Sequence, residues 1–142
     1  MSDLASLDPE ELAVTWLAGH AELTGVLGGP GRVGARNTPP YPRIRITQVP
    51  GGSAPGWRWI GTFHLQVEAL GDLDRSTPRP ELRKAFVTAV KALHELAGQQ
   101  VVPGRPVVTA VRALTAGGWL PEPTGQGRYL VVVAVTAHPA TR

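Results

Sequence analysis

The sequence predicts an α+β fold: a mostly antiparallel sheet with two helices packed against it, in the order α-β-β-β-α-β-β. Three observations predict it: two segments with apolar residues at helical spacing, several segments alternating apolar and polar residues, and Gly- and Pro-rich stretches between them. The chain has 142 residues, 42% of them hydrophobic and 18% charged, which suits one buried core. We therefore predict a single domain over residues 1-142, with an N-terminal extension at 1-7, a core at 8-138 and a C-terminal tail at 139-142.

The first helix is predicted to begin in the segment DPEELAVTWLAGH. Asp8 suits the capping position, Pro9 suits the first helical position, and Glu11 follows the cap by three residues, as in a capping box. Apolar residues then keep near-helical spacing, and we expect the face they form to pack on the sheet; they are Leu12, Ala13, Trp16, Leu17 and Leu23.

The next segment, GVLGGPGRVGARNTPPYP, is predicted to be a loop with a short strand at residues 32–36, because glycine and proline disfavour a long regular element. A strand follows in RIRITQV, where Ile44, Ile46 and Gln48 share one face. The opposite face is predicted to meet solvent or an interface, and it carries Arg43, Arg45 and Thr47.

The clearest strand pattern is WRWIGTFHLQVEAL, which departs from alternation only at Ile60 and Gly61. Its apolar face consists of Trp57, Trp59, Phe63, Leu65, Val67 and Ala69. Its polar face consists of Arg58, Thr62, His64, Gln66 and Glu68. The tract PGGSAPG before it is longer than a tight hairpin turn, so we expect it to project as an arm.

The second half of the chain predicts one helix and two strands. The helix, in PELRKAFVTAVKALHELAG, closes at Gly98 and has an apolar stripe made of Leu82, Ala85, Phe86, Ala89, Val90, Leu93 and Ala97. The strands are PVVTAVRALT and GRYLVVVAVTAHP, joined by the loop AGGWLPEPTGQ. The second strand is apolar on both faces, which predicts a central strand buried on two sides.

Composition narrows the possible functions. The 14 basic and 11 acidic residues give a net charge of +3, so nucleic-acid binding is possible but not indicated. The chain has no cysteine, which excludes disulfides and thiolate metal sites and fits maturation in a reducing compartment. No basic stretch is followed by an apolar run of signal-peptide or membrane-spanning length, so we expect neither secretion by that route nor membrane association.

Motifs for catalysis or for cofactor and metal binding are not indicated. The four histidines lack the close spacing with carboxylates that a zinc site needs, and the glycine-rich segment lacks the GK[ST] ending of a phosphate loop. The acids of GDLDR, Asp72 and Asp74, are not followed by a calcium-loop pattern, which favours a polar turn or a salt bridge with a basic neighbouring subunit. No serine lies in a nucleophile elbow. We predict a protein that is not an enzyme and needs no cofactor or metal.

Arginines and tryptophans of the two strands could instead bind single-stranded nucleic acid by stacking and phosphate contacts. These residues are Arg43, Arg45, Trp57, Arg58 and Trp59. Strand alternation, however, directs both tryptophans away from Arg58, so the stacking platform would not assemble. A core or interface role for the tryptophans is favoured.

Five segments together resemble the tail terminator, or tail completion, proteins of long-tailed bacteriophages, particularly those of actinobacterial hosts. They are DPEELAVTWLAGH, YPRIRITQVPGG, FHLQVEALGD, PELRKAFVTAVKAL and GRYLVVVAVTAHP, and the resemblance covers nearly the whole chain. The resemblance implies a homohexameric ring at the head-proximal end of the tail, assembled in the host cytoplasm. Such a ring caps the tail tube protein, ends tube polymerisation and docks to the head-tail connector, while DNA passes through its lumen without specific binding.

A ring needs different surfaces on its two sides, and the charged strand face and loops are candidates. Arg43, Arg45 and Arg58 could meet Glu68, Asp72 or Asp74 of the next subunit. The interface residues we predict are therefore Arg43, Arg45, Arg58, Glu68, Asp72, Asp74 and Arg75. The alternatives are another head-tail joining or neck protein and a nucleic-acid-binding module, with an enzyme least favoured.

Overall fold

The computed structural model describes residues 7–52, 60–102 and 104–139. Within these residues the helices are α1 (Pro9–Ala18), α2 (Ala21–Leu27) and α3 (Arg79–Leu96), and a short 3-10 turn spans Pro30–Arg32. The strands are β1 (Val33–Gly34), β2 (Arg43–Val49), β3 (Gly61–Leu70), β4 (Val107–Ala113), β5 (Gly118–Trp119) and β6 (Arg128–His138). The α+β class is confirmed.

The N-terminal region forms two helices, whereas the apolar spacing predicted one. The predicted start is confirmed, because the Asp8 side chain accepts a hydrogen bond from the Glu11 backbone N–H at 3.1 Å. The chain then leaves helical geometry at residues 19–20, where Nδ1 of His20 accepts from the backbone N–H of Leu23 and caps α2. Nε2 of His20 therefore carries the ring hydrogen and donates to Glu95 at 2.8 Å. This capping role depends on a contact with α3, which apolar periodicity does not reveal.

The sheet is mixed, with the strand order β1-β2-β3-β6-β4. β1 pairs with β2 in parallel, and the other pairings are antiparallel. β5 lies in the segment predicted to be a loop and pairs with the beginning of β6, so it continues the edge that β4 forms farther along β6. The short strand predicted within residues 32–36 is confirmed as β1, which spans two residues. Neither its parallel pairing with β2 nor the sixth strand, β5, was predicted, because two residues are too few for a recognisable alternation.

β3 and β4 both run antiparallel to β6, so they are parallel to each other. Parallel strands need a crossover connection, and α3 provides it, passing over β6 on one face of the sheet. α1 packs beside α3 on that same face, and the indole N–H of Trp16 donates to the carbonyl of Ala92 at 2.7 Å. The opposite face of the sheet is therefore without a helix among the described residues.

The hydrophobic core lies between the helices and the sheet. Residues that alternate along the strands toward the helices are buried, namely Ile44, Ile46, Leu65, Val67, Ala69, Tyr129, Val131, Val133 and Val135. Phe63 was predicted to join them but is only half-buried. The predicted strand residues Trp57, Arg58 and Trp59, and positions 53–56 of the predicted arm, lie outside the described residues.

The valine-rich strand β6 occupies a central position, between β3 on one side and β4 with β5 on the other, as predicted. Burial on both faces was predicted too, but the second face is less covered. Leu130 and Val132, which point away from the helices, are half-buried, because no described helix covers that side.

Candidate functional site

Glu68 lies on the helix-free face of the sheet, where its side chain is fully buried. It stands directly opposite Arg45 in the register of β2 and β3. The Arg45 guanidinium donates from Nε to Oε1 and from Nη2 to Oε2, each at 2.8 Å. This bidentate geometry is the strongest form of an arginine–carboxylate contact. Two residues that the sequence placed across a subunit boundary thus meet within one chain, and a role for them in an interface stays a prediction.

Two further charged residues complete the arrangement. Nη1 of Arg128, the first residue of β6, donates to Oε2 of Glu68 and to Oε1 of Glu122, both at 3.0 Å. Glu122 also accepts from Arg45 at 3.3 Å, and Arg128 Nε donates to the carbonyl of Leu120. We call these four residues, Arg45, Glu68, Glu122 and Arg128, the ion cluster. With two arginines and two glutamates it is formally neutral.

The sequence reasoning missed Arg128 and Glu122. A signal for Arg128 was present, because strand alternation puts it on the same face as Leu130 and hence beside Glu68 once β3 and β6 are paired. Glu122 lies in an irregular segment between two prolines, and no periodicity places it. Its position is decided by the fold of residues 119–127, where the backbone N–H of Glu122 donates to the carbonyl of Gln126 at 3.0 Å.

The ion cluster favours the charged form of its buried acid. Burial raises the pKa of Glu68, but hydrogen bonds from Arg45, Gln66 and Arg128 together with the charge of Arg45 lower it by more, so the pKa of Glu68 is lowered overall. The hydrogen bond to Glu68 likewise raises the pKa of Arg45 against the opposing effect of burial. Glu68 therefore remains a paired carboxylate at neutral pH, and the arrangement is suited to holding strands together.

Arg43, a neighbour of Arg45 on the same strand face, has a different environment. Its side chain is buried, with 9% of its surface exposed, and it donates to the carbonyls of Arg36 at 2.8 Å and Gly31 at 3.0 Å. These backbone groups belong to the segment between α2 and β2, so Arg43 fixes that segment against the sheet. The prediction that Arg43 faces solvent or an interface is wrong for the isolated chain. The side chain is buried because it supplies hydrogen-bond donors to backbone carbonyls of the segment between α2 and β2.

The predicted acids Asp72 and Asp74 lie in the turn between β3 and α3. Oδ2 of Asp72 accepts from the hydroxyls of Ser76 and Thr77, and Oδ1 of Asp74 accepts from the backbone N–H of Ser76 at 3.0 Å. The Ser76 hydrogen bonds lower the pKa of Asp74. The side chain of Arg75, in the same turn, donates to the carbonyl of Thr124 in the segment before β6, at 3.1 Å. We call residues 71–78 the acidic turn.

The sequence-predicted interface residues therefore occupy separate places. Arg45 and Glu68 belong to the ion cluster, Arg43 anchors the loop before β2, and Asp72, Asp74 and Arg75 belong to the acidic turn. Arg58 lies outside the described residues.

Beside α3 the surface opens into a groove with a volume of about 370 Å³. It runs between α3 on one side and the end of β4, the segment after it and β6 on the other, and it is lined by Phe86, Val87, Val90, Lys91, His94, Ala113, Gly117 and Val131. A Cβ atom at Gly117 would lie 2.9 Å from Cζ of Phe86, so a larger residue there would displace the ring from the floor of the groove. We call this feature the α3 groove.

Three aromatic side chains, Phe86 among them, and one arginine pack against one another where α3 meets β5 and β6. The rings of Phe86 and Tyr129 stack with centroids 5.5 Å apart, and Trp119 meets Tyr129 edge-on at 5.2 Å. The guanidinium of Arg79 lies 4.4 Å from the centroid of Trp119 and donates from Nε to the Tyr129 hydroxyl at 3.1 Å. This arrangement fixes the first turn of α3 against β5 and β6.

Among residues 7–52, 60–102 and 104–139, no group of three or more His, Asp or Glu side chains is placed to hold a metal ion. In that same part of the chain, no helix has the length and apolar character to cross a membrane.

The chain matches no known family profile and no curated protein sequence. Its fold is similar to that of a chain in the virion of a native gene transfer agent (GTA) particle, with a TM-score of 0.59 and 14% sequence identity. The similarity covers 89% of this chain and 91% of that chain. Because of this coverage, the similarity concerns the whole arrangement of helices and sheet. At 14% sequence identity it shows a shared fold alone.

Proposed function

We propose that this protein is a structural virion protein, and specifically a tail terminator. In this role copies of the chain form a homohexameric ring on the head-proximal end of a tail tube, stop its polymerisation and present a docking face to the head-tail connector. The observation that carries the proposal is the nearly full-length fold similarity to a virion chain. The resemblance of five sequence segments to tail terminators supports it independently.

The surface supports a role in protein–protein contact. Several large apolar side chains are 36–61% exposed in the isolated chain, so part of their apolar surface remains in water. They are Leu73, Val87, Val101, Val102, Leu114, Trp119 and Leu120. A protein that assembles with copies of itself, a tube protein and a connector has a use for several such contact points, because each interface needs apolar area at its centre.

The charge distribution supports passage of DNA without specific binding. Arg45 and Arg128, which alternation places on the helix-free strand face, are neutralised by Glu68 and Glu122 of the same chain. A binder that relies on phosphate contacts needs cations whose counterions are released on binding. Arginines already paired with carboxylates are poorly suited to that role.

The pairing of these carboxylates also supports a non-catalytic role. General acid–base chemistry needs a group that exchanges protons near the working pH. The lowered pKa of Glu68 keeps its carboxylate ionised instead, and both oxygens are occupied by arginine donors. We therefore propose a protein that acts through assembly.

The decisive experiment follows tube growth. Purified tail tube protein is allowed to polymerise with and without this protein, and tube lengths and ends are recorded by electron microscopy, with heat-denatured protein as the control. We expect shorter tubes that carry a ring at one end. Tubes of unchanged length without rings would contradict the proposal, and binding to the connector alone would favour a neck protein instead.

A further inference from the structure

The α3 groove is an apolar depression with positive charge along one side. Val87 contributes to it and is 48% exposed. Arg83 and Lys91 lie one helical turn before and after Val87, and both are exposed. Lys91 faces Glu22 at 3.5 Å, but with side chains 60% and 54% exposed this pair is weak. The exposed side of α3 thus presents an apolar residue between two cations.

The acidic turn presents the complementary pattern. Leu73 is 61% exposed, the largest exposure among the large apolar residues of the described chain. Asp72 and Asp74 flank it in the sequence, so an apolar side chain stands between two anions. Hydrogen bonds within residues 72–77 hold this turn in one shape, which reduces the entropy lost when its tip is bound.

The two patterns are separated within one chain. The acidic turn lies at the beginning of α3, whereas Val87 is eight residues after the first helical residue, Arg79. At 1.5 Å per residue this is about 12 Å along the helix axis. Arg75 also ties the turn to Thr124, and the high exposure of Leu73 shows that it does not occupy the groove of its own chain.

We propose that Leu73 of one copy inserts into the α3 groove of a second copy, with Asp72 and Asp74 facing Arg83 and Lys91. The contact is heterologous, since each copy uses its turn on one side and its groove on the other. Repetition of such a contact produces a ring when the rotation closes. The inference rests on the ring of the proposed function and identifies the surfaces that join its subunits.

The first test compares two variants, each with one substitution in the wild-type chain. V87E places a negative charge in the groove opposite the two aspartates, while V102E makes the same change at a residue that is also 48% exposed but does not line the groove. Self-association is measured by light scattering, alone and on tail tubes. We expect V87E to weaken association at least tenfold and V102E to leave it within about twofold.

Shortening the inserted side chain tests the other half of the contact. L73A should weaken self-association about tenfold to a hundredfold, the effect of removing one fully buried leucine side chain. Circular dichroism and urea unfolding should show no loss of folding, because Leu73 contacts solvent in the isolated chain. Association that is unchanged in both V87E and L73A would overturn the proposed contact.

Cross-linking locates the contact directly, because the natural chain has no cysteine. L73C and V87C proteins are mixed and treated with a short bis-maleimide, and L73C mixed with V102C is the control. We expect a covalent dimer from the first mixture, and a ladder ending at the ring size from the L73C/V87C double variant. Rings that cap tubes without this cross-link would overturn the contact and leave the proposed function standing. Wild-type protein that stays monomeric alone and on tubes would overturn both.

Discussion

Arg45 and Glu68 form a bidentate pair across two neighbouring strands, with both N···O distances at 2.8 Å and the glutamate fully buried. Arg128 and Glu122 extend this pair to β6 and to the segment before it. The ion cluster therefore links the middle of the sheet to an irregular segment that would otherwise depend on turn hydrogen bonds. A buried charge is costly unless it is paired, so the four residues depend on one another.

Removing the buried charge should reduce stability. In E68Q both arginines lose one of their two ionised partners, but they keep Glu122 and are partly exposed, so we expect the free energy of unfolding to fall by about 2 kcal/mol. Urea unfolding measures the change. E122Q is the control, because Glu122 is partly exposed and its loss should cost about 1 kcal/mol or less. Equal losses in both variants would show that burial of Glu68 is not what matters.

The contribution of Glu68 should depend on pH in a defined direction. Its pKa is lower in the folded chain than its ordinary value of 4.5, so its stabilising effect is present above that value and is lost as the pH falls through the folded pKa. The difference in unfolding free energy between wild type and E68Q should therefore be constant near neutral pH and shrink below pH 4.5. A difference that grows in acid would contradict the assigned direction of the pKa shift.

The buried side chain of Gln126 should be a second position at which substitution reduces stability. The Gln126 side chain, 1% exposed, exchanges hydrogen bonds with the amide of Asn37 and donates to the carbonyl of Gly71 at 2.8 Å. Q126L removes the donor to the buried carbonyl of Gly71 and the acceptor of the Asn37 amide N–H, so we expect the free energy of unfolding to fall by about 1–3 kcal/mol in urea unfolding. Q48L, at an exposed glutamine of β2, should change stability by about 0.5 kcal/mol or less. A small effect of Q126L would mean that water enters this region.

The turn after β2 should not accept a side chain at Gly52. This residue has a φ of 98°, and a Cβ atom there would collide with the carbonyl oxygen of Thr62. G104A is the matched comparison, since Gly104 has a φ of 82° but open space around it. We expect both variants to lower the thermal unfolding midpoint through backbone strain, and G52A to lower it by several degrees more. Equal decreases of the unfolding midpoint in G52A and G104A would mean that backbone strain, and not the collision with Thr62, accounts for the whole effect.

The sequence predicted the elements whose signals are local. The capping of α1 by Asp8, the alternation of Leu65, Val67 and Ala69, and the apolar stripe of α3 each arise within one segment, and each is confirmed. The break before α2 was missed, because His20 acts as a cap while contacting Glu95, 75 residues away. The two-residue strand β5 was missed because it is shorter than one full alternation.

The sequence by itself determined that Glu68 and Arg45 share the strand face away from the core, because side chains alternate along a strand. Only the tertiary structure decided what they contact. Glu68 meets Arg128, 60 residues later, and Arg45 meets Glu122, 77 residues later. Alternation fixes the direction of a side chain but not the strand or loop placed beside it, so sequence alone could not tell an ion cluster within one chain from a contact between subunits.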